Sequence, residues 1–310
     1  MIEQGTNGDG PGRTLLVAAP SGSAPTESEF LTAFDQLVED GMIQYDYSFL
    51  TETREINGIH FEFRISKALR NKPADVHAPV VLNSSMGENP RPGSDINTVG
   101  TELCNLGLTH FLAFNGFSSY RPHYLLLTAD GHRRQREPLD IEDFRAIHAF
   151  LHLNNSDYLV FFNCKAESGC SRDHKHLQAI PKDSFGSKPW INVDKVENVL
   201  PYAYHEQKFD QELSPDVSLG LYKEGLQQVE RALGQKTTEK DGAPSHNVIM
   251  DRHRMAIMPR RAAGIDPLGA NSGGMLGMIW VGSEDAMQKW LEIGPDRIMA
   301  AGGVPKPESR

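Results

Sequence analysis

Apolar residues recur at helical spacing at Phe30, Leu31, Phe34 and Leu37, directly behind Thr26-Glu27-Ser28-Glu29. Thr followed three residues later by Glu is a capping-box signature, so a helix is predicted to open at Thr26 and to stop near Gly41. Polar and apolar residues then alternate over 59–65, as in a half-buried strand. Further strands are predicted at 110–117, ending in Asn115-Gly116, at 124–128, and at 158–163, where every position but the last is apolar. Between the last two, Ile141, Phe144, Ile147, His148 and Leu151 mark one face of a helix over 139–153. The second half predicts a helix over 217–233, a hairpin of strands 246–250 and 255–259, and a glycine-studded strand over 273–281. Ser283-Glu284-Asp285 caps a helix reaching Leu291, and Gly294-Pro295-Asp296 opens a short last one. Residues 15–19 form a brief apolar run, 79–92 read as a loop and 183–212 as a connector. Strands and helices segregate rather than alternate strictly, which predicts an α+β fold with mostly antiparallel pairing.

The most informative segment breaks this monotony: Ser171-Arg172-Asp173-His174-Lys175-His176-Leu177-Gln178. Read as a strand, it puts His174, His176 and Gln178 on one face and Lys175, Leu177 and Ala179 on the other. A neutral imidazole can attack a phosphoryl group and split one hard transfer into two easier ones. Gln178 would donate an amide hydrogen bond, while Gly169-Cys170-Ser171 can turn backbone N–H groups and a hydroxyl toward an anion. Asn163 closes the preceding strand across that turn. Three plainer readings stay open on these residues alone. His-x-His could hold a metal, with Cys170 or Asp173 as a further ligand. The pair could be a chance pattern in a chain with 12 histidines. The Gly-Cys-Ser segment could be an ordinary turn.

Composition narrows the classes. A chain of 310 residues, 39% hydrophobic and 23% charged, is long enough to bury a sizeable core. A formal net charge of −10 without a basic tail argues against nucleic acid as a partner, though not against a small anion held by local donors. Three cysteines, with no Cys-x-x-Cys, offer neither a disulfide framework nor a zinc ribbon. No apolar run approaches a membrane span and the glycine-rich start (residues 1–13, an expected disordered tail) has no signal-peptide pattern, so a cytoplasmic, membrane-free protein is expected.

Asn163…Gly169-x-Ser171-x-x-His174-x-His176-x-Gln178 resembles the active-site signature of the histidine-triad superfamily in its transferase form, which galactose-1-phosphate uridylyltransferases share. The resemblance is closer to the diadenosine tetraphosphate (Ap4A) phosphorylase, or ATP adenylyltransferase, family. Phe162-Asn163, Glu167-Ser168-Gly169-Cys170-Ser171 and His174-Lys175-His176-Leu177-Gln178 fall in that family's order. Ala68-Leu69-Arg70-Asn71-Lys72-Pro73, His123-Tyr124-Leu125-Leu126-Leu127-Thr128, His246-Asn247-Val248-Ile249 with Pro259-Arg260, and Asn271-Ser272…Gly277-Met278 resemble its other segments. The chain departs from the pattern at Gly116 and Gly282, where the family often carries lysine, and at Arg172, where glutamine is common. The tryptophan of the C-terminal hairpin is missing, with His253-Arg254 nearby.

The resemblance implies a histidine-triad-like (uridylyltransferase-like) α+β fold with two such halves in one chain, divided into a catalytic region 14–200 and a region 201–310 completing the nucleotide site. It implies phosphorolysis of Ap4A to ATP and ADP, with His176 as nucleophile, His174 orienting it and neutralising phosphate, and Gln178 and Ser171 bonding phosphoryl oxygens. Lys72, Asn115, Gly116, Asn163, Gly169, Cys170, Arg172, Asn271, Ser272, Gly273 and Met278 are the implied substrate-binding positions. No covalent cofactor and no bound metal are implied; Mg2+ or another divalent ion would arrive with the nucleotide. The implied partners are Ap4A, ATP, ADP, AMP and phosphate, bound by a monomer. Three alternatives remain: adenylylsulfate with phosphate as substrates, hydrolysis of dinucleoside polyphosphates, and a nucleotide sensor without turnover.

Overall fold

The computed structural model describes residues 25–66, 91–154, 157–184 and 199–306. The tail 1–13, the run at 15–19 and Lys72 lie outside the described residues. The centre is an eight-stranded antiparallel sheet built from β3 (Glu102–Leu106), β4 (His110–Phe114), β5 (Tyr124–Thr128), β6 (Tyr158–Cys164), β7 (His176–Pro181), β8 (His205–Lys208), β9 (His246–Met250) and β10 (Arg254–Pro259). Its order is β3-β4-β5-β7-β6-β9-β10-β8. The regions before and after residue 200 therefore supply five and three strands of one sheet, joined where β6 pairs with β9.

Strand alternation divides the two faces. Val160, Phe162, Leu177, Ala179, Val248 and Met250 point into a core with α1 (Glu27–Glu39), α2 (Ile141–Leu153) and α3 (Pro215–Leu233). Each helix begins where its sequence signals it. Thr26 and Asp140 both close capping boxes, and Ser214 caps a helix with Pro215 in its first turn. Leu159, Phe161, Ile180, Ile249 and Met258 point the other way. They pack under a second layer: a three-stranded sheet of β1 (Leu50–Ile56), β2 (Ile59–Ile65) and β13 (Met278–Val281), with a two-stranded ribbon of β11 (Gly264–Ile265) and β12 (Leu268–Gly269), and with α5 (Glu284–Ile293) and α6 (Pro295–Gly302). At the β4–β5 end, Phe111, Ala113, Leu125 and Leu127 form a separate small cluster on this second face. His176 and Gln178 come up between the two clusters.

Three expectations change. The strand predicted over 171–178 begins only at His176, because the preceding residues are held by side chains and loop carbonyls. The glycine-studded strand over 273–281 is two elements. Asn271 caps α4 (Ser272–Met275) by accepting the Gly274 N–H at 3.1 Å, and Gly277 at φ +84° turns the chain into β13. A Cβ on Gly277 would lie 2.4 Å from the His60 carbonyl, so close parallel pairing of β13 with β2 requires glycine there. The connector 183–212 contains β8, the edge strand on β10.

Candidate active site

The nucleophile candidate is fixed by its backbone neighbours. The His176 Nδ1 lies 2.7 Å from the His174 carbonyl. A carbonyl oxygen only accepts, so Nδ1 carries the proton and Nε2 the lone pair. Gln135 locks the peptide on both sides. Its Oε1 accepts the His176 N–H at 2.8 Å, and its Nε2 donates to the carbonyls of His176 (2.9 Å) and Asn163 (3.1 Å). The β6–β7 ladder ends at Phe161 and Gln178. Continued, it would set Asn163 opposite His176; the Gln135 amide fills that place and keeps the strand ends apart.

His174 is completely buried before β7 begins. Its Nε2–H donates to the Thr128 carbonyl (3.1 Å), with Thr128 Oγ1 at 2.9 Å, and its Nδ1 lies 2.8 Å from Ser94 Oγ. Asp95 accepts the N–H groups of His174 and Asp173. Burial, then the neighbouring His176, pushes the His174 imidazole down to about 4. It is therefore neutral near pH 7 and lines neither cavity described below. The expected neutralisation of phosphate by this ring is not available to it; its carbonyl instead sets the tautomer of His176. With both ring nitrogens engaged, His174 also cannot share an ion with His176 as the metal reading required.

Gln178 is oriented by a residue the sequence reading left outside the site. The Ser119 N–H donates to His123 Nδ1 (3.3 Å), which leaves the proton on Nε2, and His123 Nε2–H donates to Gln178 Oε1 (2.9 Å). The Gln178 amide is thereby assigned to donate rather than accept at the cleft. Just before β7, on the opposite side from His176, Lys175 is completely buried and donates to Asp143 Oδ2 at 2.6 Å and to the Pro138 carbonyl at 2.8 Å. His110 Nε2 lies 3.1 Å from the other Asp143 oxygen. Burial alone would raise the Asp143 carboxyl, but the His110 hydrogen bond and the Lys175 charge override it and hold it at about 2.

Two adjoining cavities meet at Gly169, Ser171, Gln178 and Asn271. The smaller, about 120 Å³, also touches Asn115, Gly116, Arg172, His176 and Ile96. The larger, about 660 Å³, adds Gly273, Met278, Gly282 and the rings of Tyr120, Trp280 and Trp290. Aromatic faces beside a polar junction suit a planar base beside a phosphate chain. Asn115 also accepts the Phe117 N–H at 3.0 Å, so it both turns the chain and lines the cleft. Arg172 lies at the smaller cavity with its guanidinium bonded to the Ser171 carbonyl at 2.6 Å.

Asn163, Ser272 and Cys170 line neither cavity. Asn163 Oδ1 accepts from Ser272 N (3.0 Å), Ser272 Oγ (2.7 Å) and Asn247 Nδ2 (2.8 Å), which spends both side chains on joining α4 to the sheet. The Cys170 thiol donates to the Arg172 carbonyl, and burial pushes it up to about 12. Asn247 leads on to Arg260, a buried guanidinium that donates to Asn247 and to the carbonyls of Ala262, Ala263, Ala270 and Gly302. This net of C-terminal residues holds Asn271 against Gly169, where a Cβ would come within 2.7 Å of the Asn271 Cα.

Residues 42–198 match the Ap4A phosphorylase N-terminal domain, and residues 198–305 match the ATP adenylyltransferase C-terminal domain. The chain belongs to the Ap4A phosphorylase family. Diadenosine 5',5'''-P1,P4-tetraphosphate phosphorylase 2 of Saccharomyces cerevisiae is 28% identical over 247 residues, covering 68% of this chain and 74% of that protein. Protein APA1 of the same yeast is 23% identical over 256 residues, covering 72% and 78%. The crystal structure of yeast Ap4A phosphorylase Apa2 has the same fold, with a TM-score of 0.69 at 18% identity over 92% of this chain and 100% of that one. The complex of Apa2 with Ap4A gives 0.66 at 20% identity, with the same coverage. As an Ap4A phosphorylase family member the chain is a nucleotidyltransferase with this α+β fold. Among the described residues no helix is long and apolar enough to cross a membrane.

Proposed function

We propose that this chain transfers an adenylyl group from Ap4A to phosphate through a covalent histidine intermediate. His176 Nε2 attacks the α-phosphorus; the P–N bond forms as the bond to the α–β bridging oxygen breaks, and ATP leaves. Phosphate oxygen then attacks the same phosphorus, the P–N bond breaks, ADP leaves and the imidazole lone pair returns to Nε2. The observation that carries this reading is the 2.7 Å bond from His176 Nδ1–H to the His174 carbonyl, which presents the lone pair on Nε2. Gln178 and Ser171 stand at the junction of the two cavities, where donors for non-bridging oxygens are needed. An amide in place of a third imidazole activates water poorly, which favours transfer over hydrolysis. Arg172 is the cleft cation that would take over from the family lysines missing at Gly116 and Gly282, and Lys72 is proposed as a second phosphate ligand. Asn271, Gly273 and Met278 would border the nucleotide, with any Mg2+ entering as part of the substrate. Action as a monomer in a cytoplasmic nucleotide pool is part of this proposal.

The test is incubation with Ap4A, with and without phosphate, resolving products and intact protein mass. ATP plus ADP formed only with phosphate, and an adenylyl adduct absent from His176→Asn, is the expected result. AMP plus ATP without phosphate would replace phosphorolysis by hydrolysis. Near-normal turnover by His176→Asn would end the covalent mechanism.

A further inference from the structure

Away from the cleft, on the outer side of the helical layer, three side chains converge that the nucleotidyl chemistry does not use. His148 and His152 stand one turn apart on α2, and Glu212 comes from the segment just before the Ser214 cap of α3. Glu212 Oε1 lies 3.9 Å from His148 Nδ1 and 3.4 Å from His152 Nε2. All three ligand atoms fall within 4.8 Å of one another. Two ligands each bonded to an ion at about 2.0–2.2 Å with tetrahedral angles are separated by roughly 3.4 Å, so one ion needs only small side-chain adjustments to reach all three.

The outer partners are also in place. His148 Nε2 lies 3.0 Å from Ser218 Oγ on α3, which engages one ring nitrogen and leaves Nδ1 facing Glu212. The second Glu212 oxygen faces Arg252 Nη1 at 3.6 Å, and Arg252 is itself anchored on the Leu151 and Asn154 carbonyls at the end of α2. Partners that fix ligand orientation from behind are the usual company of a metal-binding histidine and carboxylate. His152 is largely open to water, with 65% of its side chain exposed, so an ion can enter and keep water in its remaining position.

We infer that His148, His152 and Glu212 form a site for a borderline divalent ion of the zinc class, which clips α2 to the segment leading into α3. Two imidazoles and one carboxylate suit zinc, whereas Mg2+ and Ca2+ prefer oxygen donors throughout. The clip would stiffen the layer from which Asp143 supports Lys175 beneath the nucleophile strand, at a distance from the reacting atoms.

The test uses the full chain stripped with EDTA and desalted, then titrated with zinc chloride by calorimetry, with thermal unfolding as the second readout. Wild type is expected to bind zinc and to melt higher with it. His152→Ala and Glu212→Gln, both at water-accessible positions, should each bind at least about tenfold more weakly and lose the gain in melting temperature. The site is overturned if wild type takes up no zinc, or if either variant keeps wild-type affinity and the full melting gain. Neither readout involves Ap4A turnover, so failure here leaves the transfer mechanism untouched.

Discussion

His123 makes the clearest single-residue prediction, because the shortest bond it makes at the cleft is to Gln178. Replacing it with leucine removes the Nε2–H donor to Gln178 Oε1 and frees the amide to rotate. A misplaced donor costs up to about 10² in rate, and direct loss of a donor to developing charge about 10²–10³. His123→Leu is therefore expected to lower kcat by up to about 10² and Gln178→Ala by more. The double variant should be no worse than Gln178→Ala alone, since both changes remove one function. Additive losses would show that His123 acts independently. At this scale the sequence displayed the groups that touch the cleft: the His-x-His-x-Gln spacing is local and survives any folding detail. The groups that orient them come from distant segments. Nothing in the neighbourhood of His123, Gln135 or Asp95 announces that a histidine, an amide and a carboxylate will meet residues 173–178. Asn163 and Ser272 show the same limit: they sit beside cleft residues in the chain, and the sheet turns their side chains toward each other.

Elements are held in register by buried polar pairs, and two of these can be tested by substitution. Lys175 ties β7 to α2 through Asp143, with both side chains fully buried. Lys175→Met leaves the buried Asp143 carboxylate with only the His110 ring and the Asp140 N–H opposite it, which should cost about 3–5 kcal/mol in chemical unfolding. Lys175→Met with Asp143→Leu should recover part of that loss, because the stranded charge is then gone. Gly169 gives the second test. It has φ +83° and its missing Cβ is what lets Asn271 approach. Gly169→Ala should destabilise by about 1–3 kcal/mol through backbone strain, with a further loss of turnover as Asn271 is displaced from the cavity junction. Wild-type stability and activity would mean the turn has another conformation. The long periodic helices and the apolar strands were legible because one face of each meets a core. The strand β1 was not: its sequence is polar and its residues are largely exposed, so no periodicity marks it. Helix α4 was hidden by its glycines, which read as strand punctuation until Asn271 is seen to cap them.

At the scale of the whole molecule, opposing effects meet when pH falls. The chain carries a formal charge of −10, and protonating its surface carboxylates relieves self-repulsion, a stabilising trend. Two buried imidazoles oppose it. Burial, chiefly, holds His174 and His246 at about 4, against an ordinary value near 6.5. His246 donates from Nδ1 to the Pro244 carbonyl and has the Tyr222 hydroxyl at Nε2, so its environment is built for the neutral ring. Below pH 6.5 the unfolded chain therefore takes up protons that the folded chain refuses, and stability falls as pH drops from 6.5 to 4. Each depressed group contributes about 3 kcal/mol of loss across that window. Asp143, held at about 2, gives a later loss between its ordinary range and pH 2, as its pairing with Lys175 is undone. Surface repulsion is screened by salt and weak per pair, whereas the imidazole effect comes from desolvation and is not. The net expectation is a melting temperature that declines steadily from pH 7 to pH 4.5, with nearly the same slope at low and at moderate salt. A melting temperature that stays flat or rises over that range would mean that one or both rings accept a proton in the folded state, which would in turn break the His174 contacts that hold the carbonyl behind His176.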